Sequence, residues 1–350
     1  MARIEIIDTD ASTICDHGFC GFKDAANEGY KRKTEWLKKR FAEGLKFKVL
    51  QVDGVDAGMI EYVPGEHTWR PVDAPAYMVI HCVLINKKKY KGKGYGMLLV
   101  EDCVADAKRA RMAGVAAVVS RGTWMASREV FLRCGFECVD TAPPSFELLA
   151  KKLRTAPSSK FKTGWDRTLR EYGSGLTIVK SDQCPCVAKC MDDILRGCKT
   201  LGIRPKVVEL TTGSQARTAP SAYGVFNVIY DGKVVADHPI GGTRFLNIMR
   251  KLLLLAVILL LPGPRLPAVA VDGSQPLPPP VDVPAGPPQV SGPGGAGMPE
   301  LRGQPAREPA IAMAGDCASP MKRWKGSLTP RSTCAWSRQT ASSRNARIGA

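Results

Sequence analysis

Along the first 150 residues the apolar positions change period repeatedly, and each change predicts an element. Residues 2–8 alternate charged and apolar side chains, the pattern of a first strand. Residues 24–43 place Tyr30, Trp36, Leu37 and Phe41 among Lys, Arg and Glu, an amphipathic helix that Gly44 ends. Residues 45–52 and 57–63 alternate on either side of Asp53-Gly54, which reads as a hairpin. Residues 76–86 form a long apolar strand, and a basic glycine-rich turn follows. In the next helix, residues 94–112, Met97, Val100, Val104 and Ala107 recur at three and four and mark the buried face. A strand at 115–120, a short helix at 128–133 ending at Cys134-Gly135, and two strand-like runs within 136–153 around Pro143-Pro144 complete this unit.

A polar stretch, 155–175, reads as a linker, and a second pattern then begins. Strands are expected at 176–180, 206–210, 223–230 and 233–236, the last two a hairpin around Asp231-Gly232. Helices are expected at 186–200 and 243–251. From residue 252 the composition changes. Most of the 26 prolines lie after Leu261, with runs such as Pro278-Pro279-Pro280 and Gly294-Gly295. Such sequence buries too little apolar surface to offset chain entropy. The expected organisation is therefore a domain at 1–154, a linker at 155–175, a second domain at 176–251 and a low-complexity, disordered tail at 252–350.

Composition narrows the function. With 44% apolar and 24% charged residues, the chain is globular rather than fibrous or wholly disordered. Lys and Arg number 50 against 33 Asp and Glu, a net charge of +17. That excess suits a phosphate-bearing ligand, a nucleic acid or an acidic surface. No recognition helix, finger or ribonucleoprotein pattern supports nucleic acid, so none is expected. The first residues lack the apolar core of a signal peptide. The longest apolar run, residues 252–261, falls short of the ~20 residues that span a bilayer. A cytoplasmic protein without a membrane partner is expected, its twelve cysteines mostly thiols.

Candidate chemistry concentrates in two places. The first is Lys91-Gly92-Lys93-Gly94-Tyr95-Gly96, between the buried strand and its helix. Glycines let the backbone approach a ligand closely, and a helix N-terminus offers unpaired N–H donors and a positive dipole end. Lys87, Lys88 and Lys89 add charge. The pattern is neither a P-loop nor a dinucleotide fingerprint, because Gly-Lys-Ser/Thr is missing and no acidic residue ends the next strand. The second place is Gln183-Cys184-Pro185-Cys186-Val-Ala-Lys-Cys190, a strand-to-helix junction. Cys15, Cys20, Cys82, Cys103, Cys134 and Cys138 are scattered and read as packing residues.

The glycine turn resembles motif A of the GNAT acetyltransferase superfamily, with Lys91 where Arg or Gln is usual. His81-Cys82, Gly92–Gly96, Asp140-Thr-Ala-Pro-Pro and Phe146-Glu-Leu-Leu resemble, more narrowly, the YoaP-type acetyltransferases, whose members carry a second small domain. The resemblance implies a GNAT fold over residues 1–153, a mixed, splayed central sheet with flanking helices. It implies acetyl-CoA as cosubstrate, its pyrophosphate on the backbone of Lys91, Gly92, Lys93, Gly94, Tyr95 and Gly96. The pantetheine arm would lie along a strand that splays from its neighbour, at Val83, Leu84 and Ile85. The acceptor would be a small-molecule or peptide amine. Glu129-Val-Phe131-Leu-Arg-Cys-Gly135-Phe136 resembles the family's closing stretch, in which a Tyr often protonates the leaving thiolate. Phe131 stands at that place and has no proton to donate.

Acetyl transfer to an amine needs a neutral nucleophile, a polarised thioester and a route for the proton. His81 titrates near neutrality and could take the proton directly or through water. Glu61, near the end of the neighbouring strand, could do likewise. The plainer alternative makes His81 a hydrogen-bonded core residue and Glu61 a surface one.

The cysteine cluster opens a helix, where the dipole favours thiolate. With the later Thr218-Ala219-Pro220, it resembles the thioredoxin-like fold, which implies a cis-proline facing the cysteines. The usual Cys-x-x-Cys is absent. Cys184, Cys186 and Cys190 leave three roles open: thiol redox exchange, capture of a soft metal or metalloid, or an inert accessory domain. No second Cys/His pair completes a zinc site. The leading expectation is an acetyl-CoA-dependent N-acetyltransferase. The alternative is a thiol redox or metalloid-binding protein whose first domain binds CoA.

Overall fold

In a computed structural model, residues 2–122 and 124–260 are described. Most of the expected tail, residues 261–350, lies outside them. The first half runs β1 (Ile4–Thr9), α1 (Glu28–Phe41), β2 (Lys46–Val52), β3 (Val55–Pro64), β4 (Val72–Asp73), β5 (Tyr77–Ile85), α2 (Tyr95–Arg109), β6 (Gly114–Ser120), α3 (Arg128–Arg133), β7 (Glu137–Ala142) and β8 (Phe146–Lys152). Then come β9 (Lys160–Phe161) and α4 (Trp165–Tyr172). The second half runs β10 (Leu176–Lys180), α5 (Cys186–Leu201), β11 (Lys206–Glu209), α6 (Gly213–Arg217), β12 (Phe226–Tyr230), β13 (Lys233–Ala236) and α7 (Gly242–Leu260).

Seven strands form the first sheet, in the order β1-β2-β3-β5-β6-β8-β7. The pairings are antiparallel except β5 with β6. A mixed sheet with helices on its two faces is what the acetyltransferase resemblance implies. The Asp53-Gly54 turn forms as expected, with φ of 52° and 73°, the left-handed pair that a tight hairpin requires. Helix α2 is pinned to the sheet by charge. Lys48 on β2 donates to Asp102 Oδ2 at 2.6 Å and lies 2.9 Å from Asp106 Oδ2, and the Tyr62 hydroxyl also bonds Asp106.

The second sheet has the order β11-β10-β12-β13, with β10 and β11 parallel and the rest antiparallel. One apolar cluster runs through both halves. It joins Trp36 and Leu37 of α1, Trp69, Tyr77 and Val79 to Ile178, Phe226 and Phe245. Trp36 and Trp69 meet edge to face at 5.0 Å. The opposite face of the first sheet packs Leu50, Ile60, Tyr62 and Ile80 against α2 and Phe131.

Two expectations change. The stretch read as a linker carries structure: β9 pairs with β4, Val72 opposite Phe161, and α4 follows. A two-residue strand leaves no periodic trace, and its partner lies far away in sequence. The last helix also runs on to Leu260 rather than ending at 251, because residues 252–260 continue its apolar run.

Candidate active site

The glycine turn stands where β5 hands over to α2. Gly92 and Gly94 have φ of 76° and 81°, a region that disfavours any side chain, and a Cβ at either would meet only open space. Gly94 is the N-cap of α2, and no side chain caps the helix. The first N–H groups of α2 therefore keep the free donors that a helix start leaves. Tyr95 turns its ring into the core beside Tyr90, at 6.2 Å, so it offers the site its backbone alone. Lys91, Gly92, Lys93 and Gly94 are exposed. Open glycine backbone, bare N–H groups and surrounding lysines fit a pyrophosphate.

The free edge of β5 lies beside it. Parallel pairing runs from Tyr77↔Gly114 to Ile80↔Ala117 and stops. From His81 to Ile85 the strand keeps its partner β3 but has no strand on its other edge among the described residues. Val83, Leu84 and Ile85 lie on this stretch, half-buried. The splay opens a narrow cleft lined by His81, Cys82, Val83, Ala117, Trp124 and Phe131, among others. Phe131 is buried against Phe136 and faces this cleft.

A bulge sets the chemistry of the cleft's closed end. Glu61 opposes Cys82 and Tyr62 opposes Ile80, so His81 is the extra residue on β5. A bulge breaks strict alternation. His81 bonds to Glu61, and Cys82 packs with the α1-side cluster, while Ile80 and Val83 lie with the α2-side cluster. His81 and Cys82 thus share a face.

On that face His81 and Glu61 meet inside a closed network. Glu61 Oε1 accepts from Gln183 Nε2 at 2.9 Å and lies 3.1 Å from His81 Nδ1, and Oε2 accepts from the Lys33 ammonium. His81 Nε2 accepts the Trp69 N–H at 3.0 Å, which places the ring proton on Nδ1. The surface alternative for Glu61 is overturned: it is fully buried. Burial raises its carboxyl pKa, but Lys33, His81 and Gln183 outweigh that and hold it at about 2. Burial lowers the His81 pKa against the opposing pull of Glu61, so the ring is neutral. Both His81 nitrogens are already engaged, and neither side chain reaches solvent.

Two loops and strand β5 bring thiols to this place. Pro185 O lies where a Cβ on Gly29 would be, so the Cys184-Pro185-Cys186 turn rests directly on α1. The Cys186 thiol and N–H donate to Cys184 and lower its pKa against the effect of burial, with Lys33 adding to the shift. A hydrogen bond to Cys82, together with burial, pushes the Cys20 thiol well up, and the Cys82 and Cys184 sulfurs reinforce it. Cys190 is buried one turn along α5. Arg70 spans the two halves, donating to Tyr223 O at 2.6 Å and to His81 O at 2.8 Å. Among the described residues no three His, Cys, Asp or Glu side chains are arranged to hold a metal ion.

The sequence reading missed Cys20, Cys82, Lys33 and Gln183. Tertiary packing brings them together, Cys20, Cys82 and Lys33 within the first half and Gln183 from the second, and no spacing signals that. The cis-proline expected at Pro220 is also not found. Among the described residues the cis bond is Pro143–Pro144. The chain instead reverses through α6 and through Gly224, with φ of 83°.

No family model matches the chain. A curated relative from Bacillus subtilis (strain 168), described as the uncharacterized N-acetyltransferase YoaP, is 28% identical over 236 residues, 66% of this chain and 90% of the relative. Among solved structures, a GNAT-family acetyltransferase from Desulfovibrio desulfuricans is 16% identical with a TM-score of 0.33, covering 43% of this chain and 100% of that one. The PaiA N-acetyltransferase of Thermoplasma acidophilum, solved with coenzyme A, is 15% identical with a TM-score of 0.32, covering 43% and 99%. YncA of Salmonella typhimurium, solved with acetyl-CoA, is 16% identical with a TM-score of 0.33, covering 44% and 96%. The 236 residues matched in the Bacillus protein exceed the first domain, so the chain is similar to a protein named as an N-acetyltransferase across both of its halves.

Proposed function

We propose that the chain is an acetyl-CoA-dependent N-acetyltransferase of the GNAT type. One observation carries this reading: β5 parts from β6 after Ile80, and the same strand leads into an uncapped helix start built on Gly92 and Gly94. The backbone of residues 91–96 holds the pyrophosphate of acetyl-CoA, and the open edge at Val83, Leu84 and Ile85 holds its pantetheine arm. The cosubstrate supplies an activated acetyl thioester, and a small-molecule or peptide amine accepts the acetyl group. Glu61 and His81 act as positioning residues. They brace the bulge of β5 beside the cleft, and their mutual bonds keep them from serving as a free base. No helix among the described residues is long and apolar enough to cross a membrane, and a cytoplasmic enzyme suits its thiols.

The second half is a thioredoxin-like domain in this reading. A parallel strand pair, an antiparallel hairpin and helices after β10 and β13 support that assignment. A thiol-exchange role is favoured by the acidified Cys184 beside Cys186. Calorimetry with acetyl-CoA, followed by thiol release in the presence of an amine panel, tests the transferase. Micromolar binding with amine-dependent release supports it. Absence of binding overturns it, and disulfide exchange without acetyl transfer favours the thiol role.

A further inference from the structure

Thiols drawn from distant parts of the sequence gather on the α1 side of β5, and the acetyl transfer proposed above gives them no role. Cys20, Cys82 and Cys184 pack against one apolar cluster, and all three are free and half-buried, as is Cys186. Cys20 is held there against its own backbone preference. It shares with Gly21 a two-residue turn closed by paired backbone bonds between Phe19 and Phe22, of 2.9 and 2.8 Å. Such a turn needs left-handed residues, and Cys20 adopts φ of 52°, where glycine or asparagine is the usual occupant. Phe19 is fully buried and stacks on Tyr30 at 4.6 Å, which fixes the turn to α1. From that turn Cys20 is hydrogen-bonded to Cys82, thiol to thiol, with Cys184 in reach of Cys20. Lys33 favours thiolate at both Cys20 and Cys184. Buried Tyr223 of the second half lies close to Cys82, Cys184 and Cys186 together.

We propose that Cys20 and Cys82 are a dithiol–disulfide couple and that Cys184 is the thiol that makes and breaks their bond, so that the second half is a thiol oxidoreductase acting on the first. The inference rests on the thiol-exchange reading of the second half and is independent of acetyl transfer. The oxidant is a small-molecule disulfide. The Cys184 sulfur attacks it, its S–S bond breaks, and one small thiol leaves. The Cys20 sulfur then bonds to Cys184 and displaces the second small thiol. The Cys82 sulfur bonds to Cys20 and releases Cys184 as a free thiol. Cys20 and Cys82 have lost two electrons and two protons, and both small thiols carry the protons away. Each step is an exchange at sulfur and is reversible. Two thiols already in hydrogen-bond contact need only a short movement to reach the S–S bond length of about 2 Å.

The test uses the full chain, fully reduced and then exposed to glutathione disulfide, with peptide mapping over time. The Cys20 and Cys82 peptides should become joined, with the loss of two hydrogens, and dithiothreitol should part them. Cys184→Ser should slow that joining about tenfold or more while leaving its equilibrium against glutathione unchanged, because a catalyst moves the rate and not the balance. Cys82→Ser should trap the intermediate, a Cys20–Cys184 bridge between the two halves. Oxidation confined to Cys184 and Cys186, with Cys20 and Cys82 still free, overturns the proposal and leaves the thiol-exchange reading intact. A Cys184→Ser chain that joins Cys20 to Cys82 at the wild-type rate overturns the role of Cys184. A chain whose Cys184 forms no disulfide with glutathione or with any cysteine overturns both readings.

Discussion

Gln183 donates to Glu61 at 2.9 Å across 122 positions of sequence, so the carboxylate of the first half is satisfied by the second. The same oxygen faces His81, and the other is held by Lys33. Replacing Gln183 by Leu should lower stability by about 1–3 kcal/mol, the effect of leaving a buried acceptor short of a donor. Glu61→Gln should cost more, about 3–5 kcal/mol, because Lys33 then stays buried without its counter-charge. Lys33→Met combined with Glu61→Gln should recover part of that loss. Urea unfolding measures all three, and a Gln183→Leu midpoint equal to wild type would show that the bond between the halves carries no weight.

Acid should weaken the fold in two stages. His81 is neutral and its pKa is lowered, so the unfolded chain binds the proton first and stability falls as pH drops through about 6.5. Glu61 is depressed to about 2 from an ordinary 4.5, so its contribution is complete above 4.5 and is lost between those values. The stability gap between wild type and Glu61→Gln should therefore shrink as pH falls from about 4.5 towards 2. Unfolding curves at a series of pH values provide the check, and a gap that widens on acidification would contradict the assignment.

Gly94→Val places a branched side chain at φ 81° in otherwise empty space. The expected strain of roughly 1–2 kcal/mol is local and leaves the sheet folded. Acetyl-CoA affinity should fall at least about tenfold, since both the turn and the approach to its N–H groups change. Calorimetry beside circular dichroism separates loss of binding from loss of fold.

Phe131 faces the cleft with its ring edge to face against Phe136. Phe131→Tyr adds a hydroxyl at the position where the GNAT resemblance implies a proton donor. Turnover should be retained or raised. A drop beyond about tenfold, or ~1.4 kcal/mol of barrier, in a folded variant would show that the hydroxyl cannot be accommodated there.

Cys184 should be alkylated at lower pH than Cys20 or Cys103, whose pKa values are pushed up. Removing its donor in Cys186→Ala should move the Cys184 rate profile to higher pH. Peptide-resolved iodoacetamide rates report this directly, and an unchanged profile would remove Cys186 as the cause.

Local signals made much of this molecule legible. Asp53-Gly54 announces a hairpin because two left-handed residues in sequence permit little else. The 91–96 turn is legible as an open, glycine-built helix start, which the structure shows uncapped. Thr212-Gly-Ser-Gln215 forms a capping box that was equally readable and introduces α6. The active face was not legible, for a physical reason. The bulge at His81 depends on register with β3, and the burial of Glu61 depends on a domain that begins more than a hundred residues later. Cys82 read as a packing residue because alternation alone gives it no special direction.

The seat between the halves leaves no room at Gly29, where backbone meets the Pro185 carbonyl directly. Any larger residue there acts as a shim, lifting the thiol turn away from the acetyl cleft by an amount set by its size. Position 29 is thus a mechanical dial on how closely two chemistries are held, adjustable without altering a reactive group of either.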